Sequence, residues 1–202
     1  MVAANAKQIR EHLCYELKWM LRAVVRIEEV TRQARAAGER GESPPDSDLV
    51  ALQDSAVLHA RNLVKFVRGS SDPDEKRTEW ALSDIPGARR RKVPANLRVF
   101  LDDWVERVGL LGESVSWPKD IDGNAIDKDD DERYSKVTEL LFKLLRPKHR
   151  TTTEETAAGK AYVELLDRAR EYFDQRTPEA FDRFTCTGEP MPAAQKRDGP
   201  NS

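Results

Sequence analysis

Cysteine is scarce in this 202-residue chain, which contains only Cys14 and Cys186. Two thiols are too few, and too poorly placed, for the disulfide framework of a small secreted domain or for a thiolate metal site. Their presence is typical of a protein from a reducing compartment. We therefore expect a cytoplasmic protein.

Long hydrophobic segments are also missing. No stretch approaches the roughly 18 to 20 apolar residues that a helix needs to cross a bilayer. Lys7, Arg10, Glu11 and Lys18 interrupt the N-terminal region, which excludes the apolar core of a signal peptide. We expect a soluble protein with no membrane partner.

Neither sign of charge dominates the sequence. The 34 basic and 36 acidic side chains nearly cancel, giving a formal net charge of −2. This balance disfavours a surface built as a whole to hold nucleic acid. A basic run at residues 89–92 keeps nucleic acid as a candidate partner, although four basic residues in a loop are more often simply solvated.

Alternating strand patterns are absent, and helical periodicity takes their place. Apolar residues at a spacing of three or four predict the strongest helix at residues 4–37 and a second at 48–68. Weaker stripes predict further helices at 94–111, 131–146 and 151–173, and short helical turns at 75–83 and 178–184. Short connections between such helices favour an all-α antiparallel bundle of about five main helices.

The length of the chain suits one sizeable domain with its own core. We assign residues 1–184 to this single helical-bundle domain. Residues 185–202 are rich in proline, glycine and charged side chains, so we expect a disordered C-terminal tail.

A histidine interrupts the apolar stripe of the second helix. His59 lies on the same helical face as Leu52 and Leu63, with Ser55 and Asn62 at its border. A polar group in such a stripe needs a partner, so it marks either a satisfied buried hydrogen bond or an acid–base site.

The first helix offers a partner for this histidine. Glu16 lies near its apolar stripe, within a polar and aromatic cluster that also contains His12, Tyr15 and Trp19. A Glu16–His59 pair between packed helices would either satisfy the hydrogen bonding of a buried imidazole or adjust its acid–base behaviour. His59, Asn62 and Glu16 are therefore candidate catalytic residues, although the sequence favours a structural role, in which the partners of His59 satisfy a buried imidazole.

A second candidate site follows the fourth helix. Arg146, His149 and Arg150 lie at its end, where cations also simply complement the helix dipole. As a functional site, Arg146 and Arg150 would bind phosphate and His149 would act in catalysis. Free N–H groups at the next predicted helix start, near residues 151–153, would assist them.

Signatures of metals and nucleotide cofactors are missing. The aspartate-rich segment 120–132 fails as an EF-hand loop because Ala125 stands where glycine is required. No carboxylate-histidine motif of a bundle metal site, phosphate-binding glycine loop, nucleophile elbow or zinc signature occurs. We expect no metal and no cofactor.

Two segments resemble a family of small bacterial all-helical proteins of uncharacterised activity. They are HLCYELKWML at residues 12–21 and DSAVLHARNLVKF at residues 54–66. The shared features are a Tyr-Glu pair followed by Met-Leu on the first helix and a His-Ala-Arg-Asn-Leu run on the second. The resemblance covers about the first third of the chain and implies no activity.

The chain is also similar, more distantly, to HEPN-type helical bundles, several of which are metal-independent ribonucleases that act as dimers. Their signature places an arginine four to six residues before a histidine, at the dimer seam. Here Arg146 precedes His149 with two residues between them, and Arg61 follows His59 and faces the other side of its helix. The predicted helical bundle agrees with this resemblance, whereas the spacing of arginine and histidine departs from the nuclease signature.

The sequence favours a protein-association module that contacts itself or a protein partner. The alternative is a HEPN-like ribonuclease or RNA-binding protein that uses His59 or His149 as acid–base and Arg146 or Arg150 on phosphate. The ribonuclease requires one of these histidines in an open cleft, with an arginine close enough to share a phosphate.

Overall fold

A computed structural model of the protein describes residues 2–43, 48–69, 81–89, 91–106, 116–127 and 130–186. These residues form six α-helices and two short 3-10 segments, with no β-strand among them beyond one isolated bridge between Lys119 and Ala125. The helices are α1 (Val2–Glu39), α2 (Leu49–Arg68), α3 (Ala95–Glu106), α4 (Arg133–Leu145), α5 (Arg150–Glu154) and α6 (Ala157–Asp174). The predicted all-α bundle is confirmed.

Helices α1 and α2 form the central pair of the bundle. They run antiparallel, because Glu16 of α1 contacts His59 of α2, while Trp19, later in α1, lines the same groove as Ser55, earlier in α2. Helix α6 packs on α1, and α3 and α4 pack on α2. In the described part of the chain, no helix has the length and apolar character that a bilayer crossing requires.

The strongest periodic signals gave the most accurate helix predictions. The helix predicted at residues 4–37 is α1, which extends two residues further at each end, and the helix predicted at 48–68 is α2. The predicted α3 and α4 are also present, although residues 107–115 lie outside the described part of the chain. The turn predicted at residues 75–83 falls mostly outside it too, and Leu82–Asp84 forms a 3-10 segment.

The predicted single helix at residues 151–173 is wrong. The chain instead forms the one-turn helix α5, breaks, and starts again as α6. Thr156 caps α6, because its hydroxyl accepts a hydrogen bond from the Gly159 N–H at 3.0 Å. The break folds α5 back onto the start of α6, so that Gly159 packs directly against the backbone of Thr153.

The two cysteines are joined, contrary to expectation. Cys14 of α1 and Cys186 form a disulfide whose Cα atoms are 5.5 Å apart, across 172 residues of sequence. The pairing forms because the chain after the second 3-10 segment (Pro178–Asp182) returns to α1, where Phe184 is buried. This removes the free-thiol argument for a reducing compartment, and the cytoplasmic location stays a prediction. Residues 187–202 of the predicted tail lie outside the described part of the chain.

Candidate functional site

Glu16 and His59 meet at the interface between α1 and α2. Nδ1 of His59 lies 2.7 Å from Oε2 of Glu16, and the Asn62 amide donates a hydrogen bond to the same oxygen at 3.2 Å. Helical spacing explains the convergence, since His59 and Asn62 are three positions apart and face the same side of α2. The partner expected from sequence is therefore in place, whereas a catalytic role for these three residues stays a prediction.

Burial of the Glu16–His59 pair is unequal. The Glu16 side chain is 5% exposed and the His59 side chain is 12% exposed. An ionised carboxylate can only accept hydrogen bonds, so ionised Glu16 requires the His59 proton on Nδ1. Among the described residues, none forms a hydrogen bond with Nε2 of His59. The pair thus fixes the imidazole and leaves Nε2 as the nitrogen that solvent or a ligand can reach.

A second histidine lies on the other side of the same carboxylate. Nε2 of His12 is 3.8 Å from Oε1 of Glu16, one helical turn away on α1. This distance exceeds a hydrogen bond, and the His12 side chain is 46% exposed. Glu16 therefore faces a half-buried imidazole on α2 and a solvent-exposed one on its own helix.

Two exposed aromatic side chains cover the outer side of this pair. The Tyr15 ring packs edge-on against His59 with 5.7 Å between centroids, and Trp19 packs against Tyr15 at 6.2 Å. Tyr15 is 53% exposed and Trp19 is 38% exposed. The Arg22 guanidinium stacks on the Trp19 ring, 5.6 Å from its centroid. We call the surface formed by Tyr15, Trp19 and the edge of His59 the aromatic face.

A groove of about 480 Å³ adjoins the aromatic face, between α1, α2 and the second 3-10 segment. Trp19, Arg22 and Arg26 line one side, and Ser55 lines the other, one turn from His59. Both guanidinium groups already have carboxylate partners, Arg22 with Asp182 at 3.0 Å and Arg26 with Glu29 at 2.6 Å. Within the described structure, Ser55 makes no hydrogen bond to His59, so it belongs to the groove rather than to the buried pair.

The predicted phosphate-binding arginines converge on an acidic residue of the protein itself. Arg150 bonds Glu154 and Asp167, each at 2.8 Å, and Arg146 lies 3.9 Å from the other oxygen of Asp167. The hydrogen bond that Arg150 donates to Glu154, with the charge of Asp167 beside it, raises the pKa of Arg150. A phosphate at this position would have to compete with two carboxylates.

His149 contributes its backbone, not its ring, to the described hydrogen bonds. Its carbonyl oxygen accepts from the backbone N–H and the hydroxyl of Thr153, both at 3.1 Å. In the described residues, no hydrogen bond or ion pair links its imidazole to Arg146 or Arg150. The same holds for His59 and every described arginine. The roles of His149, Arg146 and Arg150 stay predictions.

The basic run at 89–92 is partly engaged inside the fold. Arg91 donates to the carbonyl oxygen of Lys143 at 2.7 Å, which ties this loop to α4. Arg89 and Lys92 are exposed, and Arg90 lies outside the described residues. The run therefore offers two solvent-facing charges in the part of the chain that can be described.

The aspartates of segment 120–132 hold turns together. One oxygen of Asp120 accepts from the backbone N–H groups of Asp122 and Asn124, both at 2.9 Å, and Asp130 accepts from Glu132 at 2.8 Å. Across the described ranges, no three His, Cys, Asp or Glu side chains are grouped so that they could hold a metal ion.

Sequence reasoning missed the groove and its arginines. The available signal was the spacing on α1, where Arg22 and Arg26 follow Trp19 by three and seven positions and therefore share its face. No protein-family model, curated protein or solved structure matches this chain. The resemblances to the bacterial helical family and to HEPN-type bundles accordingly stay predictions.

Proposed function

We propose that the protein is an association module in which two copies of the chain contact each other through the aromatic face. The observation that carries this proposal is the adjacency of Tyr15 and Trp19, two exposed aromatic rings in contact on one helix. Aromatic side chains dominate the binding free energy of protein interfaces. Packing against His59 and under Arg22 holds these rings in place before binding, which lowers the entropy lost on association.

Charge on α1 favours a second copy as the occupant. Exposed Glu11 lies one turn before Tyr15, and exposed Arg22 and Arg26 follow Trp19. A two-fold axis passing between Tyr15 and Trp19 sets each Tyr15 against the other copy's Trp19. It also brings each Glu11 to the arginines of the other α1, so this surface is complementary to itself.

The test is the mass of the protein in solution as a function of concentration. Sedimentation equilibrium should give a dimer that dissociates on dilution, and Trp19→Ala should weaken the dimer by roughly thirtyfold, as loss of an interface hot spot does. Ile121→Ala is the matched control, because Ile121 is also an exposed apolar side chain and lies outside the aromatic face. A monomeric wild-type protein at about millimolar concentration, where even weak specific contacts of the hot-spot kind are populated, contradicts the proposal.

Charge reversal identifies the arrangement. Glu11→Arg should weaken the dimer, and combining it with Arg26→Glu should restore part of the affinity. Each charge reversed alone meets a like charge across the axis, whereas both reversed together recreate the attraction. If the double variant dimerises no more tightly than Glu11→Arg alone, this two-fold axis is excluded.

A second candidate function is binding and metal-independent cleavage of single-stranded RNA. It is favoured by the fixed tautomer of His59, whose Nε2 is left for acid–base chemistry beside a groove that carries two arginines and exposed rings for base stacking. Cleavage of labelled RNA in EDTA should be lost in His59→Gln and retained in His12→Gln. If cleavage is lost only in the Arg146→Ala, His149→Ala double variant, the activity belongs to that pair. If the double variant still cleaves RNA, Arg146 and His149 are excluded as the catalytic pair.

A further inference from the structure

An apolar cavity lies on the opposite side of α1 from the aromatic face. Its volume is about 630 Å³, within the range of small-molecule sites. In the described part of the chain, its walls are the first turns of α1, the loop after the Leu82–Asp84 segment, and the first turns of α6. The apolar wall comes mainly from Ile9, Leu13, Ile85, Pro86, Ala161 and the ring of Tyr162.

A cation that has no carboxylate partner among the described residues lines the cavity. Arg10 lines it, and the Nε atom of Arg10 is buried with no hydrogen-bond acceptor. Among the described residues, no carboxylate forms an ion pair with Arg10. Buried polar groups are nearly always hydrogen-bonded, so an orphaned guanidinium N–H beside an open cavity points to a missing acceptor.

The electrostatic surroundings of Arg10 favour an anion. Lys7 lines the cavity, and so does the N-terminal end of α6. The first turn of a helix has N–H groups without partners inside the helix. The Thr156 side chain accepts from one of them, that of Gly159, which leaves those of Ala157 and Ala158. Among the described residues of the wall the one carboxylate is Asp84, which accepts a hydrogen bond from the backbone N–H of Ala81 at 2.8 Å. Two cationic side chains, Lys7 and Arg10, and the N-terminal end of α6 therefore line a cavity whose wall is otherwise mainly apolar.

We propose that this cavity is a binding site for a hydrophobic carboxylate, with the carboxylate on Arg10 and the hydrocarbon along Ile9, Leu13 and Tyr162. The carboxylate accepts from the guanidinium group of Arg10 in a charge-assisted hydrogen bond. The hydrocarbon removes the apolar wall from water. The Tyr162 hydroxyl takes no part, because it already donates to the carbonyl oxygen of Leu145.

Three probes separate the parts of this proposal in isothermal titration calorimetry. Decanoate carries both the carboxylate and the chain, decanol carries the chain alone, and acetate carries the charge alone. We expect saturable one-to-one binding of decanoate, with decanol weaker on the order of tenfold and acetate undetectable. Equal binding of decanol and decanoate overturns the role of Arg10, and no saturable binding of decanoate overturns the site.

Two variants locate the binding. Arg10→Met keeps the length of the side chain but removes its donors, and should weaken decanoate on the order of tenfold. Ala161→Leu extends a side chain into the cavity and should abolish binding. Arg98→Met and Ala51→Leu make the same chemical changes at exposed positions outside the cavity and should bind like wild type. Unchanged binding in both cavity variants, each verified as folded by thermal unfolding, overturns the assignment.

Discussion

Glu16 is the carboxylate that holds His59, across an interface that separates them by 43 residues of sequence, with 2.7 Å between Oε2 and Nδ1. The Asn62 amide shares the same oxygen, so one acceptor satisfies two donors from adjacent turns of α2. In a largely buried position, such an acceptor matters more for what its loss exposes than for the bonds themselves. The α1–α2 pair should accordingly depend on Glu16 far more than on other α1 glutamates.

Replacing Glu16 with alanine should therefore lower the free energy of unfolding by about 2 to 3 kcal/mol, because the donors of His59 and Asn62 lose their acceptor away from water. Urea unfolding followed by circular dichroism measures the change. Glu11→Ala is the matched control on the same helix, with a half-exposed side chain, and should change stability by less than about 0.5 kcal/mol. Equal losses in the two variants would show that the buried pair contributes nothing special.

The Glu16–His59 contact is the part of the candidate site that sequence could predict. Apolar stripes on both helices fix which faces meet, and a histidine inside one stripe requires a partner near the other. The cavity and the disulfide had no such local signal, and the spacing of Arg22 and Arg26 on α1 indicates only one wall of the groove. Each depends on how segments more than a hundred positions apart meet, as when Phe184 and Cys186 return to α1.

The predicted helix boundaries were wrong where several residues of the same type could cap a helix. Thr151, Thr152, Thr153 and Thr156 can all cap a helix by residue type. The structure selects Thr156 for α6, and the close approach of Gly159 to Thr153 explains why the chain can break and turn there. Local propensity ranks these threonines alike, and only tertiary packing separates them.

Reduction of the Cys14–Cys186 disulfide should destabilise the protein by about 2 to 4 kcal/mol, since the bond restricts the unfolded chain over 172 residues. Urea unfolding with and without a phosphine reductant measures the difference, with intact mass confirming the redox state. The Cys14→Ser, Cys186→Ser double variant should unfold like the reduced protein and ignore the reductant. Detection of two freely reacting thiols in the untreated folded protein would contradict the disulfide.

Glu28 should make stability depend on pH. Burial raises the pKa of the Glu28 carboxyl above its usual value, and this outweighs the hydrogen bond from Ser135 and the charge of Arg176. A carboxyl whose pKa is raised by folding favours the native state most below its unfolded pKa, and this contribution is lost as pH rises through the folded value. The wild type should therefore lose stability relative to Glu28→Gln as pH rises.

The measurement is the difference in unfolding free energy between wild type and Glu28→Gln at about pH 4, below the ordinary pKa of a glutamate, and at about pH 7.5. We expect this difference to move in favour of the variant at the higher pH. Glu171→Gln, at an exposed position on α6, controls for loss of a negative charge. A difference that moves the other way means that the partners of Glu28 outweigh its burial.

The same substitution at two helical glycines should have opposite effects. At Gly159, a Cβ atom would lie 1.8 Å from the carbonyl oxygen of Thr153, which is backbone and cannot rotate away. Gly159→Ala should therefore cost about 3 kcal/mol, either by separating α5 from α6 or by breaking the Thr156 cap.

At Gly38, in the last turn of α1, nothing lies within 4 Å of the added atom, and its φ is not in the left-handed region. Gly38→Ala should stabilise the protein by about 0.5 kcal/mol, because alanine loses less backbone entropy in a helix. Thermal unfolding of the two variants beside wild type gives both signs in one experiment. A shift of the same sign in both variants would contradict the close contact between α5 and α6.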